Sequence, residues 1–588
     1  MADDRNASAY GLLSDGVRRW VSKKEWASFR DVQVESIEAL LGQPTYDDGS
    51  RDNVVISCPT AGGKTEAAFL PSLSIVENYA NEYRDDDFVY MLYVAPLKAL
   101  INDQYRRMCE MAAYSSIPVY IWHGDAPQAQ KKQLMKSHYG ILMTTPESLE
   151  AFLMRRGQWC NQYLTPIVTV IDEFHAFLGE GRGKQLMSLI DRIDAICAVN
   201  NRPHTTRIAL SATLSKLDRV GKMLSPRAPF VIIDGNGGST ADETDIAIQT
   251  YDPPLSIASE KTKYDYDKLA MTIIDESKGY KTLTFAKSRY DVETMTATIN
   301  DLCKQRGIDS QAFPHHGSLS KETRESLEKR LVNTDKPTMA IATVTLELGI
   351  DIGDIYKVFQ IGAPNSVASL RQRVGRSGRR DGQRRVKCMA TLATTESDME
   401  TELTTLVAEI ELMNAGWFEA ANARRKDVSG LVSEMLSVIE QYGSAYPDEL
   451  RGLLCDAGAF TNVSPELFTM VFEDMVAARY LAYTEDGTLV IDVNGERETN
   501  DWHFYATFQT EESYTVRSGK KTIGEITPPS TSMDSLARGG TFMLAGKYWE
   551  VLPPIDMRGK VINVKQMSQR ASFLVPVTRG GGDVSGHV

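Results

Sequence analysis

Cysteine is sparse and unpaired in this 588-residue sequence: Cys58, Cys109, Cys160, Cys197, Cys303, Cys388 and Cys455 stand far apart, with no Cys-x-x-Cys and no Cys/His cluster at zinc spacing. That excludes a zinc knuckle, and a chain this long can bury several cores without disulfides, so the thiols read as buried groups in a reducing compartment. Long apolar runs are missing too. Nothing approaches the roughly 18 residues that a spanning helix needs, and the polar stretch from Met1 to Tyr10 has no apolar signal core. A soluble, cytoplasmic protein with no membrane partner is expected. Positive charge is in short supply: 65 Lys and Arg face 78 Asp and Glu, a net charge of −13. That balance argues against bulk electrostatic coating of nucleic acid, although it leaves room for a local basic channel. There is no internal repeat at solenoid spacing. What remains is ordinary globular composition, 42% hydrophobic and 24% charged, with length for about three to five domains.

From about Arg30 to Leu392 apolar runs alternate with longer helical patterns, the signature of βα units around a parallel sheet. Val54–Ser57, Phe88–Val94, Ile167–Ile171 and Arg207–Leu210 read as buried strands of one sheet; Thr282–Phe285, Thr338–Ala342, Tyr356–Ile361 and Arg385–Leu392 read as strands of a second. Between them Asp234–Thr250, rich in Gly, Asp and Thr, reads as a connector and hinge. Amphipathic helical spacing follows over Leu403–Met413, Leu431–Ile439 and Leu467–Ala478, then Leu481–Val493 carries Asp486-Gly487 between two apolar runs, a β-hairpin signal suited to a wing. From Trp502 onward short stretches punctuated by Gly predict a small antiparallel β module. The fold class expected is α/β: two tandem P-loop domains (1–233 and 234–400), a helical linker with winged helix (401–500), and a β-rich module with tail (501–588).

Three stretches carry chemistry. Cys58-Pro59-Thr60-Ala61-Gly62-Gly63-Lys64-Thr65 follows an apolar run and precedes a helical pattern, the strand, loop, helix order of a phosphate cradle. In that reading Gly62 and Gly63 turn backbone N–H groups toward phosphate, Lys64 neutralises β/γ charge and Thr65 can ligate Mg²⁺. Asp172-Glu173-Phe174-His175 places two carboxylates at the carboxyl end of a buried strand, where ligands bind in open α/β sheets. Asp172 would hold Mg²⁺ through water, and Glu173 would polarise the attacking water; such a pair on its own is often a solvated turn, and its weight comes from Lys64. Downstream, Gln372-Arg373-Val374-Gly375-Arg376-Ser377-Gly378-Arg379-Arg380 sets arginines around turn-forming glycines. Arg376 and Arg379 are candidates for stabilising charge on a transferring phosphoryl, and Gln372 for orienting water.

Taken in chain order these stretches resemble the motif series of superfamily 2 helicases, with two RecA-like domains that use ATP and Mg²⁺. Under that resemblance Gln33, behind Trp26 and Phe29, is similar to the adenine-reading glutamine, and Thr60, Ala61, Gly349 and Asp351 join the nucleotide-contacting set. Ala95–Leu100, with Pro96 and Lys98, and Thr144-Thr145-Pro146 resemble loops that grip the nucleic-acid backbone; Ser288 and Arg289, His316 and Gly317, and Thr343 resemble their counterparts in the second domain. Hydroxyls, backbone N–H groups and cationic side chains suit phosphate oxygens without reading sequence. Ser211-Ala212-Thr213 is similar to the motif relaying hydrolysis to strand handling, and His175 in place of a final Asp resembles the DExH division. Trp502 is a packing residue between modules or a base-stacking platform.

Trp122-His123-Gly124-Asp125, Gly179–Leu186 and Ile361–Ala368 narrow the resemblance to large helicase-related (Lhr-type) helicases, and Asp427–Val493 and Tyr514–Val564 are similar to their winged-helix and β modules. Ala61-Gly62 stands where that family commonly has Gly-Ser, and the chain ends near the point where the family continues into a helical domain, so either a naturally short form or a fragment is expected. The resemblance implies a 3′ to 5′ motor on single-stranded or tailed duplex nucleic acid, DNA in preference to RNA, with room for a partner protein. Two alternatives stay open: an ATPase subunit that remodels without unwinding, and a non-hydrolysing nucleotide-sensing scaffold.

Overall fold

The computed structural model of the chain describes residues 2–58, 62–83, 87–178, 181–211, 217–235, 243–251, 265–334, 336–347, 352–364, 366–378, 383–391, 396–417, 427–456, 458–501, 504, 513–557 and 559–567. These residues form two compact units, each gathered from two stretches: 1–238 with 420–509, and 239–419 with 510–588. The four modules expected in linear order are thus regrouped, the first with the third and the second with the fourth.

In the first unit seven strands, β1 (Asn53–Ser57), β2 (Val89–Val94), β3 (Val119–Trp122), β4 (Gly140–Thr144), β5 (Val168–Ile171), β6 (Thr206–Ser211) and β7 (Phe230–Asp234), make one parallel sheet in the order β3-β4-β2-β5-β6-β1-β7. β1, β2, β4, β5 and β6 are buried along their full length, as strands covered by helices on both faces must be. Their apolar side chains divide between two clusters, one including Ile56, Phe69 and Tyr93 and the other including Val55, Phe152 and Leu189. β1, β6 and β5 are neighbours. Their carboxyl ends therefore bring Cys58, Ser211 and Asp172 to one edge of the sheet.

The unit's second stretch supplies helices Val428–Tyr442 and Pro465–Ala477 and a hairpin of β14 (Leu481–Tyr483) and β15 (Leu489–Ile491), turning at Asp486-Gly487 as the sequence predicts. It is joined to the sheet domain by a buried polar network. Arg192 Nη1 donates to Glu150 Oε1 (2.6 Å) and lies 3.4 Å from Glu434 Oε2, Arg192 Nε donates to Gln441 Oε1 (2.9 Å), and Ser188 Oγ donates to Glu434 Oε2 (2.6 Å). Burial works against the Arg192 charge, and the Glu150 and Glu434 carboxylates more than offset it.

In the second unit β8 (Glu243–Tyr251), β9 (Lys281–Phe285), β10 (Ala312–His315), β11 (Thr338–Ala342), β12 (Lys357–Ile361) and β13 (Gln383–Thr391) form a parallel sheet ordered β10-β11-β9-β12-β13-β8. β8 corrects the expected connector over Asp234–Thr250: Glu243–Tyr251 pairs with all of β13, from Gln383↔Glu243 to Thr391↔Tyr251. An edge strand needs no continuous apolar run, which is why this polar, Thr-rich segment reads as a linker. The β module is a five-stranded sheet, β17-β16-β20-β19-β18, built from β16 (Tyr514–Ser518), β17 (Lys521–Ile526), β18 (Thr541–Leu544), β19 (Lys547–Val551) and β20 (Val561–Gln566). It is mixed rather than antiparallel, because β16 and β20 pair in parallel through Thr515↔Val561. Its chain crosses from one sheet edge to the other through helix Ser530–Ala537. Among the described residues no helix is long and apolar enough to cross a membrane.

Candidate functional site

β1 ends at Ser57 and the helix Lys64–Glu82 begins directly after Gly63. Gly63 sits at φ +90°, and a Cβ there would lie 2.8 Å from Gln33 Nε2 and 3.2 Å from Arg30 Cδ. The left-handed backbone and the close approach both call for glycine. Among the described residues no side chain caps the helix, which leaves its positive end suited to an anion. Gln33 is buried, with Oε1 accepting the Arg30 N–H (3.0 Å), and its Nε2 lies beside Gly63. Lys64 Nζ is buried, makes no hydrogen bond among the described residues, and lies 3.8 Å from Glu173 Oε2. A buried ammonium with one distant carboxylate, beside an uncapped helix start, fits a polyphosphate.

The acidic pair leaves the end of β5. Asp172 Oδ1 accepts the N–H of Glu173 (2.8 Å), and Oδ2 accepts the Tyr93 hydroxyl (2.5 Å). Burial, then the Glu173 charge, push the Asp172 carboxyl up to about 6, while the Tyr93 hydrogen bond and Lys64 pull it back. Glu173 adopts φ +48°, uncommon for a side-chain-bearing residue, and its carboxylate stands between Lys64 and His175 Nδ1, the latter at 3.4 Å. His175 Nδ1 is also 3.2 Å from Ser211 Oγ at the end of β6. Lys64, Glu173, His175 and Ser211 thus form a continuous polar chain. Its members come from three adjacent strand ends. Among the described residues no cluster of three His, Cys, Asp or Glu side chains could hold a metal alone. Mg²⁺ keeps several waters and phosphate oxygens, so the Thr65 hydroxyl with Asp172 and Glu173 is a sufficient protein share.

The two loops expected to grip a strand turn most of their polar side chains inward. Thr144 donates its hydroxyl to Trp122 O (2.6 Å), and Thr145 caps the helix Pro146–Arg155 by accepting the Ser148 N–H (3.3 Å). Lys98 stays largely exposed, 3.4 Å from Asp125. Arg182 ties the loops together, Nε donating to Glu147 Oε1 (2.6 Å) and Nη2 to Pro96 O (2.7 Å).

In the second unit Arg376 is buried and donates to Glu347 O (2.5 Å). Arg373 donates to Glu347 Oε2 (2.8 Å) and Gln360 Oε1 (2.8 Å), with its guanidinium over the Phe285 ring. Gln372 is buried on the same helix, Val367–Val374. Ser288 caps the helix Arg289–Arg306 and is bonded to Asp291, while Arg289 is exposed. His316 is buried on Glu293, Gly317 beside it is exposed, and Thr343 is half-buried behind β11. Thr60, Ala61, Thr213, Gly349, Asp351, Arg379 and Trp502 lie outside the described residues. Sequence reasoning gave no role to Tyr93, Glu293 or Glu347 and met Arg182 only within the stretch Gly179–Leu186.

The DEAD/DEAH box helicase family matches residues 30–220, and the helicase conserved C-terminal domain matches residues 265–381. The chain is 32% identical over 386 residues to the ATP-dependent helicase Lhr-Core of Sulfolobus acidocaldarius, covering 62% of this chain and 41% of that protein. It is 26% identical over 592 residues to Lhr-Core of Methanothermobacter thermautotrophicus, covering 95% of this chain and 64% of that protein. The chain therefore spans less than two thirds of the length of either relative. Among solved structures it is similar to Mycobacterium smegmatis helicase Lhr bound to ssDNA and AMP-PNP, with a TM-score of 0.68 and 26% identity over 83% of this chain and 62% of that one. Two parallel-sheet domains, matched in turn by the DEAD/DEAH box helicase family and the helicase conserved C-terminal domain, make the chain similar to the superfamily 2 helicases of Lhr type.

Proposed function

We propose that this chain is an ATP-driven nucleic-acid translocase of the DExH division, which moves 3′ to 5′ along one strand and separates duplex ahead of it. The observation that carries the reading is the polar chain from buried Lys64 through Glu173 and His175 to Ser211. Lys64 neutralises charge on the β/γ-phosphates, and Glu173 orients the attacking water and accepts its proton. Thr65, and Asp172 through water, would hold Mg²⁺, which supplies charge neutralisation on the phosphate oxygens. Arg376 and Arg379 add charge where the phosphoryl group develops it, and Gln372 orients water. His175 reports the state of Glu173 to Ser211, and through it to the segment containing Thr213.

Pro96, Lys98, Thr144, Thr145 and Pro146 in the first domain, with Ser288, Arg289, His316, Gly317 and Thr343 in the second, form the backbone grips. Because the Thr144, Thr145 and His316 side chains are engaged inward, these loops offer phosphate oxygens chiefly backbone N–H groups and the exposed Lys98 and Arg289. Helices Val428–Tyr442 and Pro465–Ala477 with the β14–β15 hairpin act as a winged helix. DNA is the favoured track, supported by the ssDNA-bound Lhr structure, and the cytoplasm is the favoured location.

The test is phosphate release from ATP by the purified chain with no nucleic acid, single-stranded DNA or single-stranded RNA, beside displacement of a strand from a 3′-tailed duplex. Stimulated turnover with displacement, both lost in Glu173→Gln, is expected. Stimulation without displacement would leave a translocating ATPase that does not unwind. No turnover with any polymer would overturn the reading in favour of a nucleotide-sensing scaffold.

A further inference from the structure

Glu293 is an acidic side chain only 4% exposed on the helix Arg289–Arg306, and nothing in nucleotide chemistry calls for it. Three donors converge on its carboxylate. Oε1 accepts His316 Nε2–H (2.8 Å) and the N–H of Ala545 (2.7 Å), and Oε2 accepts the N–H of Gly546 (2.6 Å). The two backbone donors belong to the turn between β18 and β19, where Ala545 and Gly546 take φ +58° and +68° and Leu544 pairs with Lys547. Two successive left-handed residues point two successive N–H groups the same way, a concavity that binds an anion. Gly546 also rests on the same helix so closely that a Cβ would lie 2.8 Å from Thr296 Cγ2. Farther along that helix, Tyr548 donates its hydroxyl to Asp301 (2.9 Å).

The β module meets the His316–Ser320 segment a second time, through backbone. Leu319 bridges Gly524 of β17 in antiparallel fashion, Glu525 N–H donates to Ser318 O (2.7 Å), and Ser320 N–H donates to Ile523 O (3.1 Å). A Cβ on Gly524 would stand 2.3 Å from Ser318 O. Leu319 is buried in the module's own apolar core, beside Val516 and Trp549. The segment is therefore held on its imidazole by Glu293 and on its backbone by β17, and only the stretch around Gly317 faces outward.

We infer that the β module is the structural half of the second domain's backbone grip, and that Glu293 is the positioning residue that locks module, helix and His316–Ser320 loop into one shape. The inference rests on the reading of the chain as a nucleic-acid motor. In this role Glu293 acts through His316 and the β18–β19 turn. Its removal acts on how firmly a strand is held.

The experiment compares wild type, Glu293→Gln and Gly524→Ala by thermal melting, the KM for ATP, turnover without nucleic acid, and the single-stranded DNA concentration giving half-maximal stimulation. Glu293→Gln removes the charge shared by three donors, and Gly524→Ala wedges β17 off Ser318, so either variant carries the test if the other fails to fold. The expected result is a half-saturating DNA concentration raised about tenfold in both, with the KM for ATP and the unstimulated turnover at wild-type values. Folded variants with wild-type half-saturation would overturn the inference. So would a parallel decline of all the parameters, which marks general structural support. A wild type that no nucleic acid stimulates would instead remove the motor reading, and the inference with it.

Discussion

In the proposed mechanism Glu173 concentrates the chemistry at the scale of single residues, because it is held at positive φ between an ammonium and an imidazole. Replacing it by Gln keeps the shape and removes the base, so ATP turnover should fall roughly 10²- to 10⁴-fold while nucleotide affinity is retained; a stopped-flow binding assay beside phosphate release separates the two. Tyr93→Phe deletes the hydroxyl donated to the buried Asp172 carboxylate. Hydrogen bonds to charged groups contribute about 1.5–3 kcal/mol, and urea unfolding of the variant should show a loss of that order, whereas an unchanged midpoint would contradict the bond. The placement of Lys64, Asp172 and Glu173 was legible because each sits at a fixed offset from a strand end that the apolar run marks. Tyr93 was not, because its partner lies on the neighbouring strand β5, and strand adjacency is decided by packing rather than by chain order.

Between elements, the buried network of Arg192, Glu150, Glu434, Gln441 and Ser188 decides how the helix Gly181–Val199 carries the helix Val428–Tyr442. Arg192→Met leaves the buried Glu150 carboxylate without its cation, and breaking such a pair costs about 3–5 kcal/mol, readable in a urea melt. Glu434 titrates well above its ordinary value because it is buried and faces Glu150, with Arg192 and Ser188 opposing. Its folded-state pKa is raised, so the folded state holds a proton that the unfolded chain releases at lower pH. That contribution is complete below the ordinary value of 4.5 and is lost as pH rises through the folded value. Glu434→Gln should flatten this fall. Unfolding free energies at roughly pH 5.5 and pH 8 should converge in the variant more than in wild type, and equal slopes would contradict the shift. The three later helices and the strands β1, β2, β5, β6, β9, β11, β12 and β13 were legible from their periodicity, whereas β3, β4, β7 and β10 were not singled out. β8 was not, because an edge strand can be polar, and the parallel pairing of β16 with β20 was not, because alternation reports a strand's faces and says nothing about its neighbour's direction.

For the whole molecule, sequence order is a poor guide to what can be cut away. Both helicase matches fall within residues 30–381, so a chain ending at residue 419 would keep every matched motor motif. The units, however, are 1–238 with 420–509 and 239–419 with 510–588, and the cut passes through both. Arg192 would lose Glu434 and Gln441 while keeping Glu150, and Gly157, now packed on Gln441 O, would face water. In the other unit Leu319 would lose the apolar cover of Val516, Ile523 and Trp549, and Glu293 would lose two of its three donors. A deficit of about 3–5 kcal/mol in one unit lowers its melting temperature by roughly 10 °C. The truncated chain should therefore melt well below the full chain in differential scanning calorimetry, and each half should be affected. If it melted with the full chain, the later stretches would be passengers on the motor, and neither the Arg192 network nor the Glu293 clamp would carry the weight assigned to it.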